Sequence, residues 1–339
     1  MPAEPALLKI SKPCRSHHAA GEDRSTSPET PVFSPLMPSV RAEFVEEISA
    51  DEIVRLWREK IGIDVAAELD GIQSIRKFRC PVSALEFFDP PESAGGASFY
   101  ESLQAFPFYY MEDKWEHQET LQHLPESGRF LEIGCGEGAF VNRAAAHGLD
   151  AMGVELNAAA VAEGQAAGLK VECRDVLPFS HKQAGSFDCV AAFQVLEHIA
   201  DPVPFLEAAV RLLKPGGRLV IGVPNGFGWY GRLPWRDSLL DGPPHHMGKW
   251  NAAALQFLTR ILPIDLRHFD HESLQDYHVD LYIASLLGRL SESPQSWWRH
   301  KAGGLLHRGI RAWIRATGAQ TKLAGHTLLA QFVRRPSAD

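Results

Sequence analysis

The sequence predicts an α/β protein with a mostly parallel sheet covered by helices, and three observations predict it. Strand-like and helix-like segments alternate from Arg129 to Asn225. The apolar runs 190–193 (VAAF) and 219–223 (LVIGV) suit strands buried on both faces. Glycine closes the intervening helices, at Gly148, Gly168 and Pro215-Gly216-Gly217. Alternation of this kind calls for parallel strands joined by crossover helices.

Taken in order, strands are predicted at 130–134, 151–156, 170–176, 187–194 and 218–225. Helices fall at 138–148, 157–168 and 202–214. Beyond an irregular aromatic segment, 226–250, come a helix over 251–262, a strand over 263–269 and a last strand over 325–335. Residues 272–323 read as an inserted helical pair before that strand. Residues 1–40, rich in Pro, Ser, Glu and Ala, cannot bury enough apolar surface to offset their ordering entropy and are expected to be a disordered tail. Residues 41–127 are expected to be a helical, aromatic extension: a capped amphipathic helix from Ser49, then two helical stretches interrupted at Pro107 that overhang the core as a lid. The domain proper then runs over 128–339.

Composition narrows the function classes. Hydrophobic residues make up 45% and charged residues 22%, the balance of a globular protein. The net charge of −8 provides no global field for nucleic acid, and none is expected as a partner. The five cysteines (Cys14, Cys80, Cys135, Cys173, Cys189) form no C-x-x-C pair, so neither a metal site nor a redox motif is expected. No stretch reaches the roughly 20 apolar residues of a transmembrane helix, and no secretory pattern opens the chain. A cytoplasmic setting is expected.

The chemistry concentrates at strand ends. In 131–138 (LEIGCGEG), Gly134 and Gly136 permit a tight turn and close backbone approach to a ligand, with Cys135 between them. Glu155 ends the second strand, where a carboxylate can accept both ribose hydroxyls, and Leu156 follows it. Asp175, followed by Val176, ends the third strand, where it can take an adenine amino proton. Phe193 and Gln194 end the fourth, placed to border the adenine or the amino-acid portion of a ligand. Ligands of open α/β sheets bind outside the carboxyl ends of the strands. A dinucleotide is disfavoured, because the loop is not G-x-G-x-x-G and Glu137 sets a carboxylate where a pyrophosphate would lie. Glu132 can meet a cationic amino group. The charges therefore favour a sulfonium donor, S-adenosylmethionine.

These motifs, with 186–202 (SFDCVAAFQVLEHIADP) and 213–225 (LKPGGRLVIGVPN), resemble the class I S-adenosylmethionine-dependent methyltransferases. The element QVLEHIADP is similar to the branch of small-molecule enzymes that includes ubiquinone-biosynthesis-type O-methyltransferases. The resemblance implies a Rossmann-like sheet of seven strands with the last antiparallel. It implies too that Gly134, Gly136, Glu155, Asp175, Val176 and Gln194 line the cofactor.

Methyl transfer asks the protein to align donor and acceptor and often to remove one proton. His245 and His246, in the segment after the fifth strand, are the leading base candidates, with His198 beside the family motif as a third. Structural turn and capping roles stand against each. Tyr109, Tyr110, Lys114 and Trp115 form either a lid or a helix packed on the core. Phe227, Trp229, Tyr230 and Trp235 suit a ring-bearing acceptor or a satellite core. Across 299–322, Arg299, Lys301, Arg308, Arg311, Arg315 and Lys322 accompany an apolar face. That helix can cover the sheet edge, contact an anionic membrane peripherally or bind an anionic acceptor. The expected partner is a small molecule of lipid, phenol or sugar type. An RNA methyltransferase and an inactive cofactor-binding protein are the alternatives.

Overall fold

A computed structural model describes residues 31–104, 106, 113–287 and 304–336. Two short strands, β1 (Phe33–Ser34) and β2 (Met37–Arg41), pair as a hairpin. This corrects the expected disordered tail over its last residues; the first thirty lie outside the described residues. Next come β3 (Glu43–Ser49), α1 (Ala50–Leu56) with a π-helical turn over Trp57–Ile61, β4 (Ser74–Arg79) and β5 (Glu86–Asp89). Helices α2 (Ala97–Gln104) and α3 (Trp115–His123) follow.

The extension over 41–127 was expected to be helical, and here the structure corrects the sequence reading. β3, β4 and β5 form an antiparallel sheet, with register pairs Ile48↔Ile75 and Phe78↔Phe87. The strand EFVEEIS shows no apolar alternation because only Ile48 turns inward. Pairing with β4 holds it, overriding its local propensity. Beneath the sheet, Trp57, Ile75, Phe88, Phe99 and Leu103 form a core of their own with Leu239 and Met247.

The main sheet is built from β6 (Arg129–Ile133), β7 (Asp150–Glu155), β8 (Val171–Cys173), β9 (Phe187–Phe193) and β10 (Leu213–Pro224). The short β11 (Gly248–Lys249) leaves it, and β12 (Ile264–Ser273) and β13 (Ala324–Arg334) complete it. Its seven strands lie in the order β12-β13-β10-β9-β6-β7-β8. Only β13 runs against its neighbours. The expected seven-stranded, mostly parallel, Rossmann-like sheet is present. Its strands alternate between two cores: Leu131, Val190, Ala192 and Ile221 face one layer, and Phe130, Ala191, Phe193 and Val220 the other.

Helices α4 (Ala139–Ala146), α5 (Ala158–Ala166), α6 (Val176–Lys182), α7 (Pro202–Leu212) and α8 (Ala252–Ile261) cover the sheet. The strand expected over 170–176 stops at Cys173, and α6 begins where it was expected to end. Between β12 and β13 lie α9 (Asp276–Leu286) and a last helix, Leu305–Thr317. Both oxygens of Asp280 accept from Arg311, and Arg315 approaches Asp276. Ile314 is buried against α9. Two of the basic residues of this helix are thus held to its neighbour. Arg299 and Lys301 lie outside the described residues. Among the described residues no helix is long and apolar enough to cross a membrane.

Candidate active site

From β6 the sheet continues to β7 on one side and to β9 on the other, so the strand order reverses between β6 and β9. A crevice opens there at the carboxyl ends, the place where such sheets bind ligands. The loop after β6 fills its floor. Gly134 and Gly136 have φ of +72° and +53°. A Cβ at Gly134 would stand 2.4 Å from Val195 Cγ2. Glycine is required there by conformation and by space.

Glu155 locks this loop to β7. Its Oε2 accepts from Gly136 N (3.0 Å), and its Oε1 accepts from Leu156 N (2.7 Å) and Asn157 N (2.9 Å). Asn157 then caps α5 through its side chain. Leu156 is 54% exposed and Leu177 40%, an unusual exposure for leucine, and both stand at this edge of the crevice. Asp175 lies beyond the end of β8 and caps α6, its Oδ1 accepting from Leu177 N at 2.8 Å. Val176 is buried in the main core. Cys135 turns its buried side chain toward Gly153, and burial pushes its thiol pKa far up. Phe193 packs its ring among Phe140 (4.9 Å) and His117 (5.1 Å).

Gln194 has a φ of 55°, a strained backbone for a residue with a side chain. Two partners hold it: its N donates to Gly222 O (2.8 Å) and its Nε2 to Glu116 Oε1 (3.2 Å). Glu116 is buried in the first turn of α3, and the sequence reading missed it. Glu132 is 4% exposed, and its Oε2 has no hydrogen-bond partner among the described residues. Burial pushes its pKa up to about 8, with Glu155 adding to the shift and Lys114 opposing it. Lys114 likewise acts on Glu116 and Glu197, so its charge is felt across the crevice. Trp115 packs against the core beside it, while Tyr109 and Tyr110 lie outside the described residues.

The three candidate histidines come together on the far side of Gln194. Ring centroids are 4.7 Å apart for His198–His245, 4.9 Å for His198–His246 and 4.3 Å for His245–His246. The second sheet makes this possible. β11 pairs with β5, Phe88 N donates to Met247 O (3.0 Å), and Gly95 N donates to Pro244 O (2.7 Å). Met247 N in turn donates to Glu197 O (2.7 Å), tying the segment to the end of β9. Tyr100 Oη donates to the His245 carbonyl at 3.2 Å.

Nδ1 of His198 donates to His245 O (2.8 Å), and Nδ1 of His245 donates to Leu240 O (2.8 Å). Nδ1 of His246 meets Asp241 Oδ1 at 3.3 Å, and Asp241 Oδ2 meets Lys249 Nζ at 2.9 Å. Burial opposes ionisation of Asp241, but Lys249 and His246 outweigh it and hold its pKa below the usual range. Burial, reinforced by His246, lowers His198 to about 3 and carries His245 well below its ordinary value. The sequence singled out the three histidines but not Asp241, Lys249 or Tyr100, which orient them.

The aromatic residues of 226–250 separate. Trp229 meets Tyr282 edge-on at 5.5 Å and Tyr230 at 5.6 Å, and His278 and His326 complete this group. Trp235 joins the core of the second sheet, and Phe227 lies under Arg79.

This is the architecture of a ligand site at the carboxyl ends of a doubly wound sheet, and comparison with known proteins gives the family. Residues 105–281, just over half of the chain, match a family described as "Methyltransferase domain", and the chain belongs to that family. S-adenosylmethionine is the cofactor that membership implies. The chain is similar to the ubiquinone biosynthesis O-methyltransferase of Xanthomonas axonopodis pv. citri, 34% identical over 151 residues, covering 43% of this chain and 56% of the relative. It is also similar to a probable S-adenosylmethionine-dependent methyltransferase of Mycolicibacterium smegmatis, 31% identical over 176 residues, covering 49% and 65%. The chain spans about half the length of the ubiquinone-biosynthesis relatives it matches. Among solved structures, a SAM-dependent methyltransferase from Archaeoglobus fulgidus is 18% identical, covering 69% of this chain and 99% of that one, with a TM-score of 0.46.

Proposed function

We propose that this chain is an S-adenosylmethionine-dependent methyltransferase that transfers the methyl group to a small-molecule hydroxyl. The observation that carries the reading is Glu132, a sealed carboxylate with an unsatisfied oxygen at the switch point of the sheet. A buried carboxylate with one oxygen unsatisfied is costly, and a cationic ligand group reduces the cost. The amino group of the cofactor's methionine portion is such a group. Glu155, already fixed against the loop, is the acceptor for ribose hydroxyls. Leu156 and Leu177 offer apolar faces for adenine, with Asp175 beside them. Lys114 supplies positive charge for the cofactor's carboxylate.

When bound, the cofactor supplies an electrophilic methyl carbon on a sulfonium. The residues of this chain do the rest. Gln194, held by Glu116 and Gly222, forms the boundary between the cofactor side and the histidine side. Burial keeps His198 and His245 neutral at physiological pH, and these rings, with His246 beside them, handle the acceptor's proton. Trp229, Tyr230, Tyr282, His278 and His326, packed against one another, offer ring faces that suit an acceptor carrying a ring. The name of the ubiquinone-biosynthesis relatives supports an oxygen acceptor of that kind.

Calorimetry with S-adenosylmethionine and S-adenosylhomocysteine tests the first half. One site per chain is expected, and no heat at millimolar ligand would end the proposal. A methyl-transfer screen over phenols, sugars, lipids and tRNA tests the second half. Transfer to tRNA alone would replace the small-molecule reading.

A further inference from the structure

The three histidines share a feature that proton handling alone does not require. Each gives its Nδ1 hydrogen to an oxygen: His198 to His245 O, His245 to Leu240 O, and His246 to Asp241 Oδ1. Carbonyl oxygens only accept, so Nδ1 carries the proton in His198 and His245. The ionised Asp241 makes the same demand on His246. In all three rings the lone pair is therefore left on Nε2. One nitrogen from each ring lies within 4.8 Å of those of the other two. Imidazoles that ligate metals are oriented in this way, by an oxygen acceptor on the far nitrogen.

A second observation points to a cation. Glu197 is 1% exposed, and neither of its carboxylate oxygens has a hydrogen-bond partner among the described residues. Its Oε1 stands 4.0 Å from His198 Nε2. A cation beside these three imidazoles would offset the cost of ionising such a sealed carboxylate.

We propose that His198, His245 and His246 bind one divalent transition-metal ion of the zinc, cobalt or iron(II) class, with Glu197 balancing its charge. Three neutral nitrogen donors select such ions over magnesium or calcium. Bonds of about 2.0–2.1 Å in tetrahedral geometry would set the nitrogens about 3.4 Å apart. Three protein ligands leave one position open, the pattern of catalytic rather than structural ions. An acceptor hydroxyl in that position would lose its proton more readily. That consequence rests on the methyltransferase reading; ion binding does not. Position 198 and positions 245–246 meet only in the fold, so no metal-ligand spacing along the chain marks them.

The test strips the full-length chain with a chelator and titrates cobalt(II), following its visible d–d absorption, with bound metal counted by mass spectrometry and zinc as competitor. One equivalent is expected. His198→Ala, His245→Ala and His246→Ala should each weaken binding at least about a hundredfold, and Asp241→Asn by roughly 10–100-fold through the ring it orients. Glu119, His123, His268 and Asp270 form the other such group among the described residues, so His123→Ala is the control and should bind normally. Where an alanine variant fails to fold by circular dichroism, Glu197→Gln, with all three rings intact, should still weaken binding. Absence of the cobalt band in the wild-type chain overturns the proposal, as does loss in His123→Ala with retention in His198→Ala. Calorimetry with the cofactor, read separately, reports the failure of the methyltransferase reading alone.

Discussion

The cofactor side and the histidine side of the crevice are built in different ways. On the cofactor side, Glu132, Gly134, Gly136, Glu155 and Asp175 each sit at or just past the end of a neighbouring parallel strand, within one short stretch of chain. On the histidine side, Tyr100, Glu197, His198 and residues 241–249 come from three distant segments, joined when β11 adds to the sheet of β3, β4 and β5. The first is a property of a supersecondary pattern. The second exists only when two sheets are assembled. The two should therefore be separable by mutation.

The largest effect is expected from His198→Ala. Loss of a proton-handling group should lower kcat by about 10²–10⁴-fold. Cofactor affinity measured by calorimetry should hold, because no cofactor-side residue is touched; a parallel loss of affinity would dissolve the distinction. Lys249→Met should follow. It leaves Asp241 buried without its ammonium, a change that costs about 3–5 kcal/mol in such pairs. Thermal unfolding should show the loss, and a stability unchanged from wild type would mean the pair is not closed in solution. Glu155→Ala acts on the other side. Losing hydrogen bonds to a charged group costs about 1.5–3 kcal/mol, or roughly ten- to a hundredfold in cofactor Kd. Its kcat at saturating cofactor should be nearly that of wild type.

The smallest effect is a pH dependence. Burial raises Glu132 and Glu197 from 4.5 to about 8, so the folded chain keeps protons that the unfolded chain releases. The stability these groups contribute is complete below about 4.5 and is lost as pH rises toward 8. His198, lowered from 6.5 to about 3, works in the opposite sense, losing stability as pH falls below 6.5. The clean window is thus pH 6.5 to 8, where the ligand-free protein should lose stability with rising pH. Glu132→Gln should flatten that slope in part, and saturating cofactor should flatten it in the wild type. An unchanged slope in Glu132→Gln would show that this carboxylate ionises freely.

How much was legible follows the same division. Gly134, Gly136 and Glu155 were readable because a strand end, a turn and the next strand end recur at fixed short spacing. The parallel sheet was readable because continuous apolar strands need cover on both faces, while its count of seven strands came from the family resemblance. The extension over 41–127 was misread because β3 is acidic and outward-facing, with no period of its own. Asp175 was placed on a strand, since nothing local shows that VEC ends the pairing and that RDV starts α6. Glu116 and Asp241 carried no sequence signature at all, because buried carboxylates are recognised by what surrounds them.

The sequence by itself determined the parallel sheet and its glycine loop, and through the family motifs the kind of cofactor, since these depend on contacts between neighbouring elements. Only the tertiary structure decided that His198, His245 and His246 share one centre, that Asp241 and Lys249 anchor it, and that Glu197, with no hydrogen-bond partner among the described residues, lies beside it. Those groups are distant along the chain, and their proximity depends on loop closure and burial, which no local pattern records.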